Sequence, residues 1–392
     1  MKRALIVTTI GGFLPQFEMN DVRILQEYGV EVHYASDFQN PVYDFDPEEL
    51  HRQGIKTHPI SVKKSPARLM DNLKALLQLK QLIDREKIDL VHCHNPMGGV
   101  VARLAAALSK RKPALIYTAH GFHFYKGAPL LNWLLFYPAE RFLAHFTDCL
   151  VTINREDEKA AKRFRLRGKG QVFLIHGVGV DMKRFYPRPQ ERAAIRERLG
   201  IPPEAFHVVT AAELNRNKNQ SVVIQAIAET KEDSIYYSIC GKGPRREELQ
   251  REIDRYELND RVKLLGYRYD MTDILQSADC FAFPSFREGL GIAAVEALAC
   301  GVPVIAADNR GTREYMQDRV NGLVCDPADP KSFAQALQRL HGDKAFYESL
   351  CAQCRPSADR FSVEDTDGKM RKIYWDVING RKYIRKTESV AR

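Results

Sequence analysis

No stretch of this 392-residue chain runs for about 18 uncharged apolar residues, the length a bilayer-spanning helix needs, so no segment is expected to cross a membrane. No signal peptide is read at its start. The eight cysteines are scattered through strand-like and helix-like segments rather than set at the spacings of a disulfide framework. A reducing cytoplasm fits that usage. Metal motifs are scarce too. The C-x-x-C formed by Cys351 and Cys354 sits in a polar helical stretch without a second ligand pair. His92 and His94 in "DLVHCHNP" share one face of a strand but lack a third ligand, so no metal site is expected. Internal repeats, low-complexity tracts and the full G-x-G-x-x-G of a dinucleotide site are likewise missing.

What is present is enough apolar material, 44% of residues, for the cores of about two domains. The net charge of +9 is carried almost wholly by residues 1–190, while residues 191–392 are near neutral. The densest basic run is "AKRFRLRGKG", with Lys162, Arg163, Arg165, Arg167 and Lys169, and smaller clusters lie at Lys63–Lys64 and Lys110–Lys112. A positive face of this kind suits anionic lipid headgroups, phosphorylated substrates or nucleic acid; a solvated charged turn is the plain alternative. The segment "APLLNWLLFYPAERFLAHFTDCLVTI" is rich in Leu, Phe, Trp and Tyr but interrupted by Pro138, Glu140, Arg141 and Asp148. It is read first as a core helix pair, with insertion into a membrane surface as the alternative.

Short β-branched runs alternate with helical patterns along both halves: "RALIVTT", "VEVHYAS", "DLVHCH", "ALIYTAH", "DCLVTIN" and "VFLIHGV", then "FHVVTAAEL", "IYYSICG", "VKLLGY", "CFAFPS" and "PVIAAD". That alternation predicts an α/β protein of two doubly wound, parallel-sheet domains. The break is placed near residue 187, where Pro187, Pro189, Pro202 and Pro203 punctuate a charged helix, giving domains over 1–186 and 187–368. A terminal helical stretch over 369–392 is expected to pack back on the first domain. Ligands of such sheets bind beyond the carboxyl ends of the strands, and the default site is a cleft between the two domains.

The chemistry is concentrated in "FREGLGIAAVEALACGVPVIAAD", a loop and helix following the strand "CFAFPS". The first helical turn, Gly291, Ile292, Ala293 and Ala294, has small side chains that leave its backbone N–H groups open to an anion such as a diphosphate. Glu288 and Glu296, eight residues apart, flank that turn, where carboxylates can accept hydrogen bonds from sugar hydroxyls. In the alternative reading Glu296 complements the helix dipole and Glu288 is an ordinary loop acid. Arg216 and Lys218 in "AELNRNKNQ" supply cations for phosphate, and "CGKGPRREEL" repeats the placement, a strand followed by Gly241 and Gly243 and then a helix. In the first half, Gly11 and Gly12 follow the first strand, and His120 in "YTAHGFHF" stands at a strand end, as a site residue or as a structural histidine.

Taken together, "EGLGIAAVE", "LIHGVGVDMKRF", "CGKGP", "ADCFAFPSFREG", "EALACGVPVIAAD" and "NGLVCDP" resemble the family 4 retaining glycosyltransferases of the GT-B fold over nearly the whole chain. The first half, with "IVTTIGGFLPQF", "VHCHNP" and "YTAHGFHFYKGAP", is most similar to the exopolysaccharide and capsule enzymes of that family. The resemblance implies two Rossmann-like domains facing a central cleft, the first for the acceptor and the second for a nucleotide-sugar donor. It assigns Glu288 to hydroxyls of the transferred sugar, Glu296 to the ribose, and Lys218 to the phosphates. Gly291, Ile292 and Ala293 fall at the diphosphate, with Gly289, Leu290 and Gly241 in the same donor site. Tyr267 and Arg268 fall at the base, His120 at the sugar from the opposite domain, and Gly11 and Gly12 along the cleft. One departure stands out: where the family shows G-R-L-x-x-x-K, this chain reads residues 212–218 as AELNRNK, so Glu213 occupies the arginine position and Arg216 is the candidate substitute.

The resemblance further implies front-face departure of the nucleoside diphosphate without a metal or other cofactor. The donor is expected to be a UDP-sugar and the acceptor a lipid diphosphate-linked saccharide. The enzyme is then expected in the cytoplasm, peripheral on the inner face of an anionic membrane. Nucleic acid is not an expected partner, and the oligomeric state is left open. Two D-x-D patterns, at 44–46 and 365–367, are read as surface acids. A UDP-sugar epimerase on the same scaffold and a non-catalytic nucleotide-sugar sensor are the competing readings.

Overall fold

Apolar runs such as residues 4–7 and 280–283 have no exposed face, and strands of that kind are stable in a parallel sheet covered on both sides. The computed structural model describes residues 1–39, 42–43 and 45–380, and two such sheets form there. The chain divides into unit 1, Met1–Val178 with the residues from Glu364 on, and unit 2, Gly179–Val363.

Unit 1 is built on β1 (Arg3–Val7), β2 (Glu31–Ser36), β3 (Ile55–Pro59), β4 (Leu90–His94), β5 (Ala114–Ala119), β6 (Cys149–Thr152) and β7 (Gln171–Leu174). Their order is β3-β2-β1-β4-β5-β6-β7, all parallel. The order reverses between β1 and β4, so their carboxyl ends open the crevice where ligands of this architecture bind. Leu5, Val7, Val91, Cys93 and Leu115 form the sheet's share of the core. Helix Leu69–Arg85 covers it with Ala75, Leu79, Leu82 and Ile83, spaced to fall on one helical face. The last helix, Val363–Ile378, buries Met370, Ile373 and Tyr374 in unit 1. The expected stretch over 369–392 continues past residue 380, outside the described residues.

Unit 2 carries β8 (Phe206–Ala211), β9 (Ile235–Cys240), β10 (Val262–Gly266), β11 (Cys280–Phe283), β12 (Val304–Ala307) and β13 (Gly322–Cys325), in the order β10-β9-β8-β11-β12-β13. Here the reversal lies between β8 and β11.

Three expectations need correction. The boundary stands at 178/179 rather than 186/187, because the proline-rich segment is held inside unit 2 by its arginines. Arg188 donates to Asp273 at 2.8 Å, and Arg192 and Arg196 both engage Asp279. The return to unit 1 falls at 363/364 rather than 368/369. The aromatic segment is not a core helix pair. Helix Leu130–Leu143 buries only Glu140 and Leu143, while Leu130, Leu131, Leu134, Leu135 and Phe142 are each more than half exposed. The two strands absent from the sequence reading, β3 and β13, are sheet edges. Residues 55–59 read "IKTHP", half-exposed and without a continuous apolar run, so the burial signature of a central strand is missing.

Candidate active site

In unit 2 the loops after β8, β9 and β11 are stitched to one another by hydrogen bonds to backbone carbonyls. Phe286 N donates to Asn217 O at 2.9 Å, Asn217 Nδ2 to Arg287 O at 2.8 Å, and Leu214 N to Lys242 O at 2.9 Å. Gly241 sits at φ +148°, and a Cβ there would lie 1.9 Å from Ala212 O, so only glycine lets the two loops touch. The stitching fixes Lys218, whose Nζ reaches Glu288 Oε1 at 2.5 Å, both side chains largely covered. Those two residues are 70 apart in sequence and meet at the β8/β11 reversal.

Directly beyond Glu288, helix Ile292–Ala299 starts at Gly291, held at φ +93°. A Cβ on Gly291 would come within 2.5 Å of the Phe283 ring and 3.0 Å of Tyr315 Oη. Leu290 is buried beneath the loop, while Gly291, Ile292 and Ala293 are partly open, as an anion site at the helix start requires. Glu296, one turn on, is half-buried; burial pushes its carboxyl up to about 7, opposed only in part by Arg184. Sequence reasoning missed the buried hydroxyls beside this loop. Tyr315 Oη and Ser285 Oγ are both buried without a hydrogen-bond partner among the described residues, and no spacing or motif marks either.

The remaining candidates are less converged. Tyr267 and Arg268 follow β10, the sheet edge, with Lys242 Nζ 5.4 Å from the Tyr267 ring. Arg268 is held in a two-point pair by Asp270, at 2.8 and 2.6 Å. Arg216 is exposed and its positive field falls on Glu248, whose carboxyl is held low chiefly by Arg245. The structure therefore does not bring Arg216 to the Lys218–Glu288 pair. Glu213 is exposed as well.

In unit 1, Gly11 and Gly12 turn the chain after β1; Gly11 N donates to Asp37 O at 3.1 Å and Tyr34 Oη to Gly11 O at 2.8 Å. The turn Leu14–Glu18 then aims Glu18 back toward the ends of β4 and β5. His94 Nδ1 lies 3.1 Å from His120 Nε2, and Glu18 Oε1 lies 3.4 Å from the first and 3.6 Å from the second. His92 is occupied on both sides, by Tyr374 Oη at 2.6 Å and Thr118 Oγ1 at 2.8 Å. Burial holds these imidazoles neutral, pushing His92 down to about 3 and His120 to about 4, and His94 well below its usual value. The same burial raises Glu18 well above the carboxylate range and Asp21 to about 7. The fold thus brings Glu18 and His120 to His94, while His92 is engaged elsewhere. Of the D-x-D acids, Asp46 caps helix Pro47–Arg52 and Asp365 pairs with Lys369 at 2.7 Å. Asp367, expected on the surface, is buried against Arg23, and Asp44 lies outside the described residues.

Residues 191–360 match the family described as "Glycosyl transferases group 1", and residues 13–154 the family described as "Glycosyl transferase 4-like". The chain is 37% identical over 377 residues to EpsD of Bacillus subtilis (strain 168), whose name describes a glycosyltransferase, covering 95% of this chain and 96% of that one. The chain belongs to the family 4 glycosyltransferases. A second relative, 27% identical over 316 residues, is the UDP-Gal:alpha-D-GlcNAc-diphosphoundecaprenol alpha-1,3-galactosyltransferase of Escherichia coli, matched over 79% of this chain and 81% of that protein. Anabaena Alr3699/HepE, solved in complex with UDP and glucose, superposes with a TM-score of 0.77 over 96% of this chain and all of its own, at 19% identity. That likeness establishes the GT-B fold for this family 4 chain. The glycosyltransferase reaction class follows from the family.

Proposed function

We propose that this glycosyltransferase transfers a sugar, with retention, from a UDP-sugar to a lipid diphosphate-linked saccharide during exopolysaccharide or capsule assembly. The observation that carries the reading is the Lys218–Glu288 pair beside the open first turn of helix Ile292–Ala299. A cation and unpaired backbone N–H groups converge where charge grows on a departing diphosphate, so no metal ion is needed there. Glu288 accepts hydrogen bonds from the transferred sugar and Glu296 from the ribose. Tyr267 follows β10 at the edge of the sheet and is the residue proposed for the base.

Two relatives support the substrates proposed: the Escherichia coli enzyme is named for UDP-Gal and a diphosphoundecaprenol acceptor, and HepE was solved with UDP and glucose. Unit 1 supports the lipid side. No helix among the described residues is long and apolar enough to cross a membrane. The exposed leucines of helix Leu130–Leu143 instead lie next to the basic run, because Phe164 of that run packs on Tyr137 at 5.5 Å. Exposed Lys162, Arg163 and Arg165 beside exposed leucines form a surface for the anionic inner face of the plasma membrane.

The deciding experiment titrates UDP, GDP, ADP and their sugars into wild type, Lys218→Ala and Glu296→Ala without metal. Selective UDP-sugar binding that both substitutions weaken supports the donor site. Binding indifferent to both substitutions refutes it.

A further inference from the structure

We propose that Glu18, His94 and His120 form a binding site in unit 1 for one divalent transition-metal ion of the zinc class. The three side chains come from the carboxyl ends of adjacent strands: Glu18 from the turn after β1, His94 from the end of β4, His120 from just past β5. Their donor atoms form a triangle with edges of 3.1, 3.4 and 3.6 Å. Tetrahedral coordination at the usual zinc–nitrogen and zinc–oxygen lengths of about 2.0–2.2 Å places neighbouring ligand atoms about 3.3–3.6 Å apart. The two edges from Glu18, 3.4 and 3.6 Å, lie in that range, and the His94–His120 edge of 3.1 Å is slightly shorter.

The site is also short of a partner. Glu18 Oε1 is buried and has no hydrogen-bond partner among the described residues, which leaves a carboxylate oxygen aimed between two imidazole nitrogens. A buried oxygen of that kind calls for a proton or a cation. A second grouping, Asp21 with His92 and His94, is not a competing site, because both nitrogens of His92 are taken by Tyr374 and Thr118. Beside Glu18 and His120 lies a cavity of about 20 Å³, room for one water as fourth ligand. Phe13 walls the histidines, its ring 5.9 Å from His94 and 5.2 Å from His120. His120 is partly exposed and gives a way in.

Two imidazoles and one carboxylate with a water form a set that suits zinc or cobalt; magnesium and calcium call for six or more oxygens. The ion ties together three strand ends in unit 1, while the diphosphate in unit 2 is met by Lys218. The proposal does not rest on the assignment of donor or acceptor.

The test uses the full chain without a histidine tag, stripped with a chelator and then titrated with Co2+ and Zn2+. One equivalent per chain is expected, with the visible absorption of tetrahedral cobalt and a rise in melting temperature that magnesium does not produce. Glu18→Gln and His120→Ala, folded by circular dichroism, are expected to weaken binding by about 100-fold or more, beyond the 10–100-fold typical of losing an outer-shell partner. Replacement of the exposed His51 and His145 is expected to leave it unchanged. Failure of folded wild type to bind a stoichiometric ion overturns the proposal, as does binding that survives loss of both His94 and His120.

Discussion

Lys218 is paired with Glu288, so the proposed donor site compensates its own charge. On the proposed function, a diphosphate draws Lys218 away and a donor sugar competes for Glu288. The two halves of the pair therefore respond in opposite directions. Lys218→Ala removes a charge-assisted hydrogen bond to phosphate, about 1.5–3 kcal/mol, and is expected to weaken UDP binding about 10- to 150-fold. Glu288→Gln keeps the shape but removes the charge that restrains Lys218. Both side chains are mostly covered, at 22% and 11% exposure, so their coupling is placed at the upper end for ion pairs, about 1 kcal/mol. UDP, which has no transferred sugar, is then expected to bind about fivefold more tightly to Glu288→Gln. The UDP-sugar is expected to bind more weakly, because an amide accepts less strongly from sugar hydroxyls. Isothermal titration of both ligands into wild type, each single variant and the double variant closes the cycle. UDP binding weakened in Glu288→Gln to the same extent as in Lys218→Ala would refute the competition.

Gly291→Ala places a side chain at φ +93° against Phe283 and Tyr315. Left-handed backbone strain of about 1–2 kcal/mol plus overpacking of similar size is expected to lower the denaturation midpoint and abolish nucleotide binding together. Glu296 has a folded-state carboxyl raised to about 7, so the folded chain holds a proton that the unfolded chain gives up near its ordinary value. Stability is expected to fall as pH rises from about 5 to 7, and Glu296→Gln, at pH 8, to be about 1–3 kcal/mol more stable in urea melts. The proposed ribose contact of Glu296 needs the ionised form, so wild-type UDP affinity is expected to rise between pH 6 and 8 and the Glu296→Gln profile to be flatter. Leu134→Glu, on an exposed helix face, is expected to cut sedimentation with phosphatidylserine vesicles about tenfold or more, leaving UDP affinity in solution unchanged.

Most of the architecture was legible in the sequence as apolar runs bounded by turn residues. Eleven of the thirteen strands among the described residues announce themselves as apolar runs; β3 does not because it is half-exposed, and β13 does not because it is a four-residue edge strand opened by Gly322. The elements of the proposed donor site were legible for a related reason: Gly241, Gly291, Lys218 and Glu288 lie in loops that follow strands, and strand ends are marked by where an apolar run stops. Helix Leu130–Leu143 misled because apolar content reports how much surface prefers to leave water, and says nothing of what covers it. Domain boundaries slipped by a few residues because Arg188, Arg192 and Arg196 are held by acids some 80 residues away.

By itself the sequence determined the α/β class, the two sheets, the E-x7-E loop and helix, and the family, since each is written in residues close together along the chain. Tertiary structure alone decided that Lys218 meets Glu288, that Arg216 turns elsewhere, and that Glu18 closes on His94 and His120. Those meetings depend on the order of strands in a sheet. Strand order is set by which buried faces pack together, a property of the whole fold that no local spacing contains.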